Sequence, residues 1–133
     1  MGGFSDYLEL EVLDHLFGAQ SFSPPATYYM ALFTVAPSDA GGGTEVAGNN
    51  YSRVSVANNT TNWNTAASGQ TSNKVAITFP VASGSWGTVV AFALFDASSA
   101  GNLIAWAVLG TAKVVGSGQA AQFAAGQLVI TLD

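Results

Sequence analysis

The residues WGTVVAFALFDASSAGNLIAWAVL, numbered 86–109, contain two strongly apolar runs separated by turn-forming residues. The runs TVVAFALF (88–95) and LIAWAVL (103–109) are predicted to pair as an antiparallel hairpin across the segment 96–102. Both runs are apolar at nearly every position, rather than at every second one, so both faces of each strand must be covered. We therefore expect the hairpin at the centre of a sandwich or against a second subunit.

Other segments of the chain are also predicted strands, because they are rich in β-branched and aromatic residues. They are 27–34, 51–57, 74–79, 111–115 and 128–132. Clusters of Gly, Ser, Asn and Asp separate them and supply turn chemistry. A chain of this length with seven or more short strands is predicted to be mainly β, as one antiparallel β-sandwich or jelly-roll-like domain.

One segment before the strands, SDYLELEVLDHLF at 5–17, is predicted to be an α-helix. Ser5 is a suitable N-cap and Gly18 a suitable stop, and the apolar residues form a broad face. Four of the eight acidic residues of the chain lie in this segment. Residues 1–23 are therefore predicted to be a helix and linker that dock on a partner, and residues 24–133 to be the β-sandwich domain.

Low charge is the main compositional signal of the chain. Only 8% of its residues are charged, against about a quarter in soluble domains. This deficit favours a surface that faces other proteins, and the alternative is a soluble monomer covered by Ser, Thr, Asn and Gly. The predicted docking residues combine the apolar helix face with two neighbouring acids: Leu8, Val12, Leu13, Leu16, Phe17, Glu9 and Glu11.

The sequence argues against several classes of partner. The net charge is −5 and the only permanent cations are Arg53, Lys74 and Lys113, so neither nucleic acid nor an anionic membrane surface is an expected partner. No apolar run reaches the roughly 18 residues of a membrane span. The first residues also lack the cationic start of a secretory signal, so synthesis in the cytoplasm is expected.

Catalytic and metal-binding patterns are not found in the sequence. His15 is the only histidine and the chain has no cysteine, so no metal site is predicted. The serine at 85, in Gly84-Ser85-Trp86-Gly87, does not have the spacing of a nucleophile elbow. We therefore expect neither a catalytic residue nor a cofactor.

The polar loop Asn62-Trp63-Asn64 is a candidate surface contact. Sugar-binding sites on sandwiches combine an exposed aromatic face with amide groups, which this tripeptide could provide. The alternative is that the Trp63 ring anchors its loop on the sandwich or on a neighbouring subunit.

Several segments of the chain resemble a family of small tailed-phage and prophage virion proteins. They are YYMALFT at 28–34, APSDAG at 36–41, TEV at 44–46 and YSR at 51–53. The segments 92–97 and 101–105 are also similar to a hairpin of phage tail components. The resemblance implies a non-enzymatic virion protein made in the bacterial cytoplasm. Asn49 and Asn50 stand where family members often have glycines, which leaves the geometry of that turn open.

Three functions are considered for this sequence. The first, and the one that is favoured, is a capsid decoration or cement protein that binds the lattice of the major capsid protein. The second is a tail-fibre or tail-tip component, bound to other tail proteins, whose loops contact a host receptor. A homo-oligomer, usually a trimer, is expected for both. The third is a carbohydrate-binding module.

Overall fold

The computed structural model describes residues 2–18 and 20–132, and within these ranges it is mainly β with one helix. The elements in chain order are β1 (Gly2–Phe4), α1 (Asp6–Leu16), β2 (Thr27–Val35), β3 (Thr44–Glu45), β4 (Val54–Ala57), β5 (Gln70–Ser72), β6 (Ile77–Thr78), β7 (Gly87–Phe95), β8 (Leu103–Val115), β9 (Gln122–Phe123) and β10 (Val129–Thr131). The predicted class, an antiparallel β-rich domain with an N-terminal helix, is confirmed.

A six-stranded antiparallel sheet forms the main layer. Five of its strands follow the order β1-β8-β7-β2-β3, and the sixth, β4, pairs with β2. The strands β3 and β4 share one edge of β2, where each pairs with a different part of it. The predicted hairpin is confirmed, since β7 pairs with β8 and Phe95 lies opposite Leu103.

The central strands are covered on both faces, as their composition predicts. Met30, Leu32 and Leu94 belong to the larger hydrophobic cluster on one face of the sheet. Ala31 and Ala93, which alternate with them, are fully buried in a second cluster on the other face. Continuous apolar strands are needed here because neither face meets water.

The second layer of the sandwich is built from two small sheets and long loops. The strand β5 pairs with β10, and β6 pairs with β9. Phe79 and Leu128 pack from this layer into the larger cluster. The strands of this layer are shorter than predicted: 74–79 contracts to Ile77–Thr78, and 128–132 contracts to Val129–Thr131.

Asn73 explains why loops can replace strands in this layer. It is fully buried, and its amide donates to the carbonyl oxygens of Val75 (2.8 Å) and Ala124 (2.9 Å). Its Oδ1 accepts the N–H of Leu128 at 2.9 Å. One side chain thus satisfies three backbone groups that a regular strand would pair, so the ladder is not needed there.

The predicted strands 103–109 and 111–115 form one strand with a bulge. Val108 lies opposite Ala91 and Lys113 lies opposite Val89, so residues 109–112 face a single residue of β7. Such an excess of residues bends a strand and interrupts its hydrogen bonding.

The N-terminal segment contains a short strand, β1, that the sequence pattern does not predict. Gly2–Phe4 pairs with Ala105–Ala107 of β8, and a Cβ at Gly2 would clash with the carbonyl oxygen of Trp106. Ser5 then caps α1, because its Oγ accepts the N–H of Leu8 at 3.2 Å while its own N–H donates to Ile104 O. The predicted helix is confirmed, and the division at residues 23 and 24 stays a prediction.

Asn49 and Asn50 adopt the backbone conformation that glycine favours. Their φ angles are 50° and 66°, in the left-handed region where Asn is tolerated better than most residues. Each amide also fixes the turn, since Asn49 donates to Ser85 O and Asn50 donates to Val81 O, both at 2.8 Å.

We expect Asn73→Ala to lower the free energy of unfolding by about 3 kcal/mol, because the buried backbone groups it now pairs would lose their partner. Urea unfolding followed by circular dichroism measures the change. The exposed Asn64, which donates to Ser72 Oγ, is the matched control, and Asn64→Ala should cost less than about 1 kcal/mol. Equal losses in the two variants would contradict the role of Asn73.

We expect Asn50→Ala to be less stable than Asn50→Gly by about 1 kcal/mol, since both lose the bond to Val81 but only alanine is strained at positive φ. Thermal unfolding of the two variants side by side tests this. An alanine variant at least as stable as the glycine variant would refute it.

Candidate interaction surface

The helix α1 and its C-cap residue expose a stripe of large apolar side chains, which we call the helix stripe: Leu10, Leu13, Leu16 and Phe17. Their exposed fractions are 63%, 52%, 67% and 81%. Residues 10, 13 and 17 are spaced three and four positions apart and therefore lie on one helix face. A solvent-facing stripe of this kind is typical of a surface that another protein covers.

The structure divides the residues predicted for docking into two groups. Leu13, Leu16 and Phe17 are exposed in the helix stripe, whereas Leu8 is buried in the core and Val12 packs against it. Leu10 was missing from the prediction, although it is as exposed as its neighbours. The helix is apolar around most of its circumference, so its sequence does not reveal which face turns inward.

Acidic residues flank the helix stripe. Glu9 is exposed and Glu11 is partly exposed, and within residues 2–18 and 20–132 neither carboxylate pairs with a cation. His15, near the end of the helix, accepts the N–H of Phe22 at its Nδ1 (3.1 Å). It thereby fixes the linker to the helix.

Trp63 lies partly buried, with its ring packed against the larger core cluster. The ring meets Tyr28 edge to face at a centroid distance of 6.1 Å. Its neighbours also bond internally, since Asn62 donates to Ala57 O and Asn64 donates to Ser72 Oγ, both at 3.0 Å. These contacts fit the loop-anchor interpretation, and sugar contact by this loop stays a prediction.

A partly buried ion pair joins the segments that carry the family resemblance. Arg53 donates two hydrogen bonds of 2.8 Å to the carboxylate of Glu45, and the Tyr51 hydroxyl donates to the same carboxylate at 2.9 Å. The Arg53 guanidinium also lies 3.8 Å from the centre of the Phe95 ring. A further nitrogen of Arg53 donates to the carbonyl oxygens of Ala97 and Ala100 in the β7–β8 turn.

The environment of this ion pair is structural rather than reactive. Burial raises the pKa of Tyr51 far above the usual value for a phenol, so the hydroxyl stays protonated. It serves as a fixed link, because it also accepts the N–H of Leu32 at 3.0 Å. Every polar group of the cluster thus has a partner within the fold.

The described parts of the chain hold no group of three or more His, Cys, Asp or Glu residues arranged for a metal ion. Within the same ranges, the helix is too short and too polar to cross a membrane. What the surface offers is apolar area with acidic residues beside it, as expected for a protein that packs against others.

These features define a class, the small antiparallel β-sandwich proteins with an N-terminal helix. Residues 3–131, nearly the whole chain, match the family described as Podophage GP4 fiber I protein gp80. The chain belongs to this family, and it is a structural protein of a phage. No curated protein matches it.

We expect Trp63→Ala to lower the free energy of unfolding by about 3 kcal/mol, because the ring is part of the core packing. Phe17→Ser, at an exposed site, should change it by less than about 0.5 kcal/mol. Urea titrations followed by far-ultraviolet circular dichroism compare the two variants. A fully stable Trp63→Ala variant would show that the ring does not anchor its loop.

Proposed function

We propose that this chain is a non-enzymatic fibre subunit of a podophage virion, held in the particle by the helix stripe. The observation that carries the proposal is the exposure of four large apolar side chains on a helix that is itself fixed to the sheet through Ser5. The family is described by a fibre protein, which supports this location.

Burial of the helix stripe is the physical basis of attachment. Removing apolar surface from water contributes about 25 cal/mol per Å², and this gain does not depend on ion pairs that salt would screen. Attachment by burial suits a chain in which 8% of the residues are charged. The expected neighbours are other virion proteins and further copies of the chain, with a trimer as the expected state.

Capsid decoration, the function favoured from the sequence alone, would use the same kind of contact. A decoration protein also works by burying apolar surface across subunit boundaries, so the helix stripe supports both locations. The family description favours the fibre. The number of copies per particle distinguishes decoration from a fibre. A decoration protein has a copy number that scales with the number of major capsid subunits, whereas the copy number of a fibre protein is set by the symmetry of the tail.

Quantitative mass spectrometry of purified particles tests the proposal. We expect the chain at a copy number close to that of other tail proteins, and antibody labelling at the tail. A copy number close to that of the major capsid protein would instead establish decoration. Particles that lack the chain would refute both.

We expect the double variant Leu13→Ser/Phe17→Ser to be lost from particles, because the contact that holds the subunit would be removed. Val81→Ser is the matched control, since Val81 is also exposed (55%) but does not belong to the helix stripe. Both variants should keep the circular dichroism spectrum of the wild type. Incorporation of the double variant at the wild-type level would show that the helix stripe is not the attachment site.

A further inference from the structure

Two acidic side chains border the helix stripe, one on each side. Each residue of an α-helix turns the chain by about 100°, so Leu10, Leu13 and Phe17 fall within about 60° of one another. Asp14 lies about 40° beyond Leu10 on one side, and Glu9 lies about 40° beyond Leu13 on the other. Glu9 is exposed and Asp14 is partly exposed. The apolar surface therefore has a carboxylate at each margin.

The opposite face of the helix is the one that packs on the sheet. Leu8 is buried and Val12 packs against the core, and each lies about 160° around the helix from Leu10. Leu16 lies between the two faces, beyond Glu9, and is still 67% exposed. The stripe thus faces away from the sheet, and the carboxylates at its margins are accessible to another molecule.

No cation of the fold neutralises these two carboxylates. The pair of Arg53 and Glu45 is the one ion pair found within residues 2–18 and 20–132. His15 follows Asp14 in the chain, but its Nδ1 accepts the N–H of Phe22, which holds the ring toward the linker. Both marginal carboxylates therefore remain available to a partner.

The stability of the helix accounts for Glu9 but not for Asp14. An acidic residue near the start of a helix interacts favourably with the helix dipole, whereas one in the last turn interacts unfavourably. Glu9 lies in the first turn of α1 and Asp14 in the last. Asp14 also follows Glu11 by three residues, a spacing at which like charges repel. Asp14 therefore weakens the isolated helix, and a contact outside the fold would offset this cost.

A second copy of the chain is poorly suited to cover this surface. Each copy has a net charge of −5 and three permanent cations. Arg53 is 7% exposed and already paired, and Lys74 donates to the carbonyl oxygen of Thr60. Lys113 is the third cation, and one cation cannot face both margins of the stripe. The complementary surface, apolar with cations on two sides, therefore belongs to a different protein.

We propose that the helix stripe docks into an apolar groove of a different virion protein, and that lysine or arginine side chains on the two rims of this groove contact Glu9 and Asp14. This inference rests on the proposed function, because it states the chemistry of the partner at the attachment site. Leu10, Leu13 and Phe17 have the spacing i, i+3 and i+7 with which helices fill apolar grooves. Their burial provides most of the affinity, while the two charge contacts orient the helix and speed its encounter with the groove.

Particles assembled without this chain are the probe for the experiment. The particles are immobilised in an optical biosensor, and the association and dissociation rates of the purified chain are measured at several ionic strengths. We expect the association rate of the wild type to fall about tenfold between about 0.01 M and about 0.15 M salt, because salt screens the attraction. The dissociation rate should change less than about twofold, since burial holds the complex. An association rate that rises with salt would overturn the proposal.

Neutral variants of nearly unchanged shape locate the charges. Glu9→Gln and Asp14→Asn should each slow association about threefold at low salt, and the double variant should lose most of the salt dependence. Glu11→Gln is the matched control, because it removes the same charge from the same helix but lies farther from the stripe than Asp14. It should associate at a rate within about 1.5-fold of the wild type. Circular dichroism verifies that each variant is folded.

Two results with these variants would contradict the proposal. A double variant that associates as fast as the wild type, or faster, would show that the partner has no cations at the rims. Equal effects of Glu11→Gln and Asp14→Asn would show that net charge alone matters, and not the margins of the stripe.

Carbodiimide crosslinking of intact particles identifies the partner. The reagent joins a carboxylate to a lysine amine in direct contact with it, and mass spectrometry locates the joined peptides. We expect the peptide that contains Glu9 and Asp14 to be joined to a lysine of another virion protein. Crosslinks that join this peptide only to Lys74 or Lys113 of a second copy would overturn the proposal.

The two proposals fail separately. Normally grown particles that lack the chain would overturn the virion function. A chain that is present in particles, and whose association depends on neither salt nor the marginal carboxylates, would overturn the cationic groove and leave attachment through the helix stripe in place.

Discussion

Burial on both faces of the sheet, along β2, most of β7 and the start of β8, is the constraint on which the rest of the structure depends. A sheet covered on both sides needs two separate layers, and a short chain has few residues for either. One layer is the set of small sheets and loops held by Asn73. The layer on the opposite face of the sheet is thin. The small side chains of Ala31, Ala91 and Ala93 leave room there for the Trp106 ring to lie close to the sheet. The Trp106 indole donates to Asp39 at 2.8 Å, which fixes the covering loop.

The ion pair of Arg53 and Glu45 shows how a charge-poor protein uses its few charges. The Arg53 side chain is 7% exposed, and its hydrogen bonds reach β3 and the β7–β8 turn together. A buried cation without these partners would be strongly destabilising, so its surroundings must be fixed as a set. Glu45 and Arg53 lie in the segments TEV and YSR, so part of the resemblance to the family falls on residues that hold the fold together.

The parts of the fold that follow from local pattern were predictable from the sequence. The hairpin 86–109 has an unbroken apolar pattern, and the helix has both a cap and a stop. The strand Gly2–Phe4 was not predictable, because its pairing depends on β8, about a hundred residues away. The contraction of 74–79 was missed for a similar reason, since Asn73 bonds to Ala124 and Leu128 across the chain. The apolar residues of the helix were found, but only the sheet determines that Leu8 faces inward and Leu10 outward.

A surface with few charges also limits how this chain can recognise partners. Charged proteins gain specificity and fast association from complementary potentials, and most of that potential is absent here. The remaining source of affinity is apolar area, which is not directional and would by itself favour indiscriminate aggregation. Shape must therefore provide the specificity, and single charges must provide the orientation. The acids beside the helix stripe fit this requirement, because an exposed charge at the margin of an apolar surface favours one orientation of a partner while adding little to the affinity.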